Sequence, residues 1–159
     1  MKTITGFFSS KDQAERAIKE LRRNGYDKEI SMVAKDDEKM QEGPRTSNFT
    51  GGDGVADGAV GGATIGGLAG LALGVGALAI PGFGPLVAAG PIAAILSGAA
   101  TGGIAGGLAD YGIPAEKGRE YENRIREGKM LVTVKSADGT AEKAAEALRN
   151  AGAENVEIH

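Results

Sequence analysis

The chain has 159 residues and a net charge of -3 at neutral pH, enough for one compact domain with an appendage and too little for two large domains. It has no cysteine, which excludes disulfides, thiolate metal sites and cysteine catalysis, and its 27 glycines follow no collagen period. No Lys, Arg, Asp or Glu lies between Asp57 and Asp110, so the chain joins two unlike pieces.

Residues 1–35 read as strand, helix, strand. Lys2, Ile4, Phe7 and Phe8 lie in a β-favouring run, too short and too interrupted for a secretory signal. Ser10 with Gln13 makes a capping box. The helix that follows has Ala14, Ala17, Ile18 and Leu21 on one face, and Gly25 supplies its stop. Residues 29–34, with Ile30, Met32 and Val33, return as a strand.

Residues 36–54 read as a polar linker rich in Gly, Pro, Ser, Thr and Asn. Asp36, Asp37 and Glu38, with Asp53 and Asp57 further on, read as solvated acids, with a weak divalent-ion site as the alternative.

Residues 55–113 read as a glycine-zipper helical hairpin. Gly58, Gly62, Gly66, Gly70 and Gly74 recur every fourth position and form one ridge of a helix, while Val60, Leu68, Leu71, Val75 and Leu78 gather opposite it. Small residues four apart let two helix backbones approach closely, the usual device where lipid removes the hydrophobic drive. The run from Ile80 to Pro85 breaks the helix at Phe83, and a second arm to Gly112 carries Gly98, Gly102 and Gly106. Each arm is about 22 residues, roughly 33 Å, against a bilayer core of about 30 Å. The large aliphatics from Val60 to Ile80 contribute only about -0.3 to -0.6 kcal/mol each, so insertion is marginal and a soluble assembly stays open. Burial of the hairpin within a monomer is not expected, because the flanking domain offers too little surface to cover it. The expected oligomerisation and membrane residues are these eight glycines and Phe83, with further copies of the chain and membrane lipid as partners. A spanning hairpin leaves every Lys and Arg on one side, which puts the domain in the cytoplasm.

Residues 114–128 read as a connecting helix with Tyr121 and Ile125 buried, and residues 129–159 repeat the plan of residues 1–35. Ala141, Ala144, Leu148 and Gly152 follow one another at the spacing of Ala14, Ala17, Leu21 and Gly25, which predicts helices of equal length and equal stop. Met130–Val134 and residues 155–158 are the flanking strands. Two βαβ units of this size combine most simply into an α+β, ferredoxin-like split βαβ + βαβ sandwich, four antiparallel strands with both helices on one face and the glycine-zipper hairpin inserted. The other sheet face is expected to be solvated or free to bind a small ligand. Met130–Val134 has no aromatic side chain for stacking bases, so no nucleic acid is expected.

Several features resemble the bacterial general stress protein, or heat-induced stress protein (YflT-like), family. They are the opening Lys2-Thr3-Ile4, the block Ala77-Leu78-Ala79-Ile80-Pro81-Gly82-Phe83-Gly84-Pro85, Ala88-Ala89-Gly90-Pro91, and Gly112-Ile113-Pro114. The resemblance covers most of the chain and implies a stress-induced protein without established catalytic residues.

Enzyme chemistry has little to work with. The single histidine, His159, reads as a solvated tail, Gly128-Lys129 is followed by Met130 where a phosphate loop needs Ser or Thr, and no dinucleotide fingerprint follows a strand. No catalytic residue, cofactor or metal is expected. The function expected is that of a structural stress protein that homo-oligomerises in or on a membrane, with a water-soluble ring, shell or filament and a ligand-binding regulator as alternatives.

Overall fold

The computed structural model describes residues 1–26, 29–35, 76–80, 84–98 and 103–159. In chain order the elements are β1 (Lys2–Phe8), α1 (Lys11–Arg23), β2 (Ile30–Lys35), β3 (Gly76–Ile80), β4 (Gly84–Ala89), α2 (Pro91–Gly98), α3 (Gly103–Asp110), α4 (Ala115–Arg126), β5 (Met130–Ser136), α5 (Ala141–Asn150) and β6 (Glu154–Ile158). The fold is α+β. The six strands among the described residues form one sheet in the order β3-β4-β2-β5-β1-β6, and every neighbouring pair is antiparallel.

The two end segments form as their patterns dictate. Ser10 is extended and its hydroxyl accepts from the Gln13 amide at 3.3 Å, satisfying one of the free donors at the start of α1. Gly25 has φ +87° and Gly152 φ +94°, and each closes its helix with the same pair of bonds. Tyr26 N donates to Leu21 O, and Ala153 N donates to Leu148 O. The lengths differ, 13 residues for α1 and 10 for α5. Asp138–Thr140, the counterpart of the first α1 turn, is a 3-10 turn containing Gly139, a poor helix former.

One face of the sheet is closed by α1 and α5. Ile4, Phe8, Ile30, Met32, Val132 and Val134 on the strands meet Ile18, Leu21 and Leu148 on the helices. Each such side chain, fully buried, contributes roughly 1.5–3 kcal/mol. Gly6 on β1 lets α5 come close, since a Cβ there would stand 3.4 Å from Leu148 Cδ1 and 3.0 Å from Ala153 Cβ.

The opposite face corrects the expectation of an open sheet. It is covered by α2, α3 and α4, whose Ile92, Leu96, Ile104, Leu108, Tyr121 and Ile125 pack on Phe7, Val33, Leu86 and Leu131. The reason lies in the strands, which are buried along nearly their whole length. An apolar second face needs its own helical cover. Burial within one chain is therefore realised for the described part of the second arm, contrary to expectation, because this sheet face supplies the covering surface.

The hairpin expectation also changes where it can be compared. Gly76–Ile80 is a strand and not the end of a first helix, and Gly84–Ala89 is a strand and not the start of a second. Ile80 precedes Pro81 and Gly84 precedes Pro85, and a residue before proline is pushed out of the helical region. The second arm then begins only at Pro91, a good first helical residue, and is divided into two helices of eight residues. Gly90 makes the bend into α2. Its φ is +82°, and a Cβ there would stand 2.2 Å from Ile30 O. No helix among the described residues is long and apolar enough to cross a membrane. The first arm up to residue 75 lies outside the described residues.

Candidate functional site

The predicted assembly residues divide into three groups. Gly58, Gly62, Gly66, Gly70, Gly74, Phe83 and Gly102 lie outside the described residues. Gly98 is the last residue of α2. Gly106 lies in α3, where a Cβ would meet nothing within 4 Å among the described residues of its own chain. Within the chain a close helix contact is made at Gly118 on α4, whose added Cβ would stand 3.0 Å from Ala105 O and 3.2 Å from Ala105 Cα. Gly118 joins the expected Tyr121 and Ile125 in one buried α4 stripe.

The two edges of the sheet differ. β6 is guarded. Its register with β1 shifts between Thr5 and Phe7, Asn155 sits at φ +50°, and Glu154 and Glu157 put charge along it. α4 also holds it: Lys117 Nζ donates to Glu157 Oε1 at 2.9 Å, and the Asn155 amide, oriented with its oxygen toward α4, accepts from Arg124 Nη1 at 2.7 Å. At the start of β6, Lys129 Nζ donates to Glu154 Oε2 at 2.8 Å, which holds the Glu154 carboxyl below its usual range.

β3 has no charged residue and no register shift in its pairing. Its sequence, Gly-Ala-Leu-Ala-Ile, also has no proline, and it pairs with β4 from Gly76↔Ala88 to Ile80↔Gly84. Its other side has no strand partner among the described residues. An uncharged, unbulged edge presents a row of amide and carbonyl groups that templates pairing with another strand.

Between the sheet and α2, α3 and α4 runs a row of buried hydroxyls. Thr5, Thr133 and Ser31 stand side by side across β1, β5 and β2, all fully buried. Ser31 Oγ lies 3.1 Å from Tyr111 Oη and accepts from the Ile92 amide at 3.2 Å, satisfying a donor at the start of α2. Thr3 Oγ1 donates to Tyr111 O at 3.0 Å. Burial raises the Tyr111 hydroxyl above its usual range, with Ser31 pulling the other way.

At the β1 end of this row Thr5 Oγ1 lies 2.9 Å from Tyr121 Oη, which also meets Glu157 Oε2 at 3.1 Å and His159 Nε2 at 2.9 Å. The expectation that His159 is a solvated tail is overturned. Its side chain is only 9% exposed, its ring stands edge-on to Tyr121, and its backbone pairs with Thr3 in both directions. Position in the sequence misled here, because β6 pairing carries the ring under α4. Burial holds the His159 imidazole below its usual range. Tyr121 is 1% exposed, so its hydroxyl serves the interior and reaches no external molecule.

The surface also has an open groove of about 320 Å³ between α1 and the end of α5, lined by Arg16, Lys19, Glu20, Arg23, Asn150 and Ala151. Arg23 pairs with Glu20 at 3.6 Å, so its charge is mixed. Among the described residues no three His, Cys, Asp or Glu side chains gather to hold a metal ion. Comparison with family models, with curated proteins and with solved structures gives no match for the chain.

Proposed function

We propose that this chain is a non-enzymatic structural protein that assembles with copies of itself through the β3 edge and the glycine-rich stretch leading into it. The observation that carries the reading is the contrast between the edges: β6 is bulged, charged and held by α4, whereas β3 is uncharged and has no outer partner among the described residues. Antiparallel pairing of β3 with its own copy forms a two-fold, self-closing contact. The order β2-β5-β1-β6, with α1 and α5 on one face, supports a ferredoxin-like reading of the end segments, with β3 and β4 added beyond β2. The resemblance to the general stress protein family supplies the stress-response setting.

A water-soluble assembly is favoured over a lipid-inserted one. Leu86, Ile92, Leu96, Ile104, Leu108 and Ile113, which a second spanning arm would turn toward lipid, are buried on the sheet of their own chain. The chain has no cysteine, so single cysteines report contacts cleanly. Leu78→Cys on β3 is expected to form inter-chain disulfides under mild oxidation without detergent, and Val156→Cys on β6 is not. Equal cross-linking at both edges, or none at Leu78→Cys, contradicts the proposal. Recovery of the chain solely in a carbonate-resistant membrane pellet contradicts the soluble form of it.

A further inference from the structure

The surroundings of Tyr121 fix where a proton sits. Its hydroxyl has one hydrogen to donate and two lone pairs, and it meets three partners: Thr5 Oγ1, Glu157 Oε2 and His159 Nε2. Burial pushes the Tyr121 pKa up to about 12, so the hydrogen stays in place at neutral pH. The Glu157 carboxylate can only accept, and therefore takes that hydrogen at 3.1 Å. Thr5 and His159 must then donate to Tyr121. The imidazole hydrogen is on Nε2, because the reverse assignment sets an oxygen lone pair of Tyr121 against a carboxylate oxygen.

The result is a directed chain from β6 to α4 and back, His159 Nε2–H to Tyr121 Oη, then Tyr121 Oη–H to Glu157. The other Glu157 oxygen is held by Lys117 Nζ at 2.9 Å, and Lys117 is also bound by Glu120 at 3.2 Å. We propose that His159, Tyr121 and Glu157 form a proton-operated latch between β6 and α4, closed with His159 neutral and its hydrogen on Nε2, and loosened when acid adds a second proton at Nδ1.

A second proton places a cation in a side chain that is 9% exposed. From its own strand Glu157, 3.7 Å from Nε2, attracts the charge, but that carboxylate is already shared with Lys117. From α4, Lys117 repels it and Tyr121 offers a neutral oxygen. From β1 the neighbour is the Thr3 backbone. Burial outweighs the attraction of Glu157, so the closed latch disfavours the imidazolium. An opened β6 leaves the imidazole in water, where it takes the proton at its ordinary value of about 6.5. The latch is fully stable above that value and weakens as the pH falls below it.

Two measurements on the full chain test this. Nitrogen-15 NMR of His159 at pH 7.5 is expected to show hydrogen on Nε2 and none on Nδ1, and the opposite tautomer overturns the proposal. Amide hydrogen exchange of β6, corrected for intrinsic pH dependence, is expected to rise several-fold between pH 7.5 and pH 5. His159→Gln keeps a donor for Tyr121 but cannot gain a charge, and should remove most of that rise while the variant remains folded. A β6 exchange rate that does not change with pH, or one that rises equally in His159→Gln, overturns the latch.

Discussion

The two faces of the sheet are built from different parts of the chain and by different chemistry. The face under α1 and α5 is closed by residues that recur in the two end segments, and its core is aliphatic and aromatic throughout. The face under α2, α3 and α4 is closed by the inserted segment and the connecting helix, and it contains the row Thr5, Thr133 and Ser31 beneath two tyrosines. An apolar face tolerates small rearrangement at the cost of packing alone. On the face with buried hydroxyls the bonds of Thr5 and Ser31 also count, because an abandoned buried polar group costs about 1–3 kcal/mol. The inserted face is thus the more conditional of the two.

Gly90→Ala should break the comparison most severely. The residue joins β4 to α2 in the left-handed region, and its new Cβ would stand 2.2 Å from Ile30 O, so a loss of about 4 kcal/mol is expected in urea unfolding. A loss below about 1 kcal/mol would mean that the bend is not as described.

Truncating one leucine on each face asks whether the layers fold together. Leu148→Ala and Leu108→Ala each remove a fully buried side chain and should each cost about 2–5 kcal/mol in a single transition. A separate early transition for Leu108→Ala alone would make the inserted layer an independent unit.

Tyr121→Phe sharpens the polar contrast. It keeps the ring against Phe7, whose centroid is 4.9 Å away, but strips Thr5 Oγ1 and His159 of their partner. A cost of about 1–3 kcal/mol is expected, and Tyr121→Phe with Thr5→Val should cost less than the single change. Equal costs would show that Thr5 was not relying on the phenol.

The smallest effect is expected at the rim. Lys129 holds the Glu154 carboxyl below its usual range, so this pair contributes above the ordinary carboxyl range and is lost as pH falls through it. Because the pair is exposed, Lys129→Ala should change the unfolding midpoint little at pH 7, and less in high salt.

Legibility in the sequence followed the same division. The repeated Ala14, Ala17, Leu21 and Gly25 spacing gave the end segments and their helix stops, because local periodicity and a capping glycine act within one element. The fate of residues 76–113 was not legible in the same way. Glycine and alanine are compatible with both strand and helix, and the deciding contacts are long-range: Met32↔Ala89 and Val33↔Ala88 pairing, and the bond from the Ile92 amide to Ser31. Pro81, Pro85 and Pro91 did carry a local warning, since each disfavours helix just before it. His159 was opaque for a different reason, as only β6 pairing brings its ring beneath Tyr121. Of the candidate assembly edge, the lack of charge was readable, but its place at the border of the sheet was not.

The central claim, assembly through the β3 edge, is tested most directly by the particle mass of the full chain in detergent-free buffer, compared with Ala77→Lys/Ala79→Lys. These positions stand opposite Val87 and Pro85 in the β3–β4 register, and lysines on an edge strand oppose pairing with a second edge. Light scattering is expected to give a multiple of the chain mass for the wild type and the mass of one chain for the variant, with the same circular dichroism and melting temperature. A wild type that is monomeric at all concentrations, or a folded variant that assembles unchanged, contradicts the account.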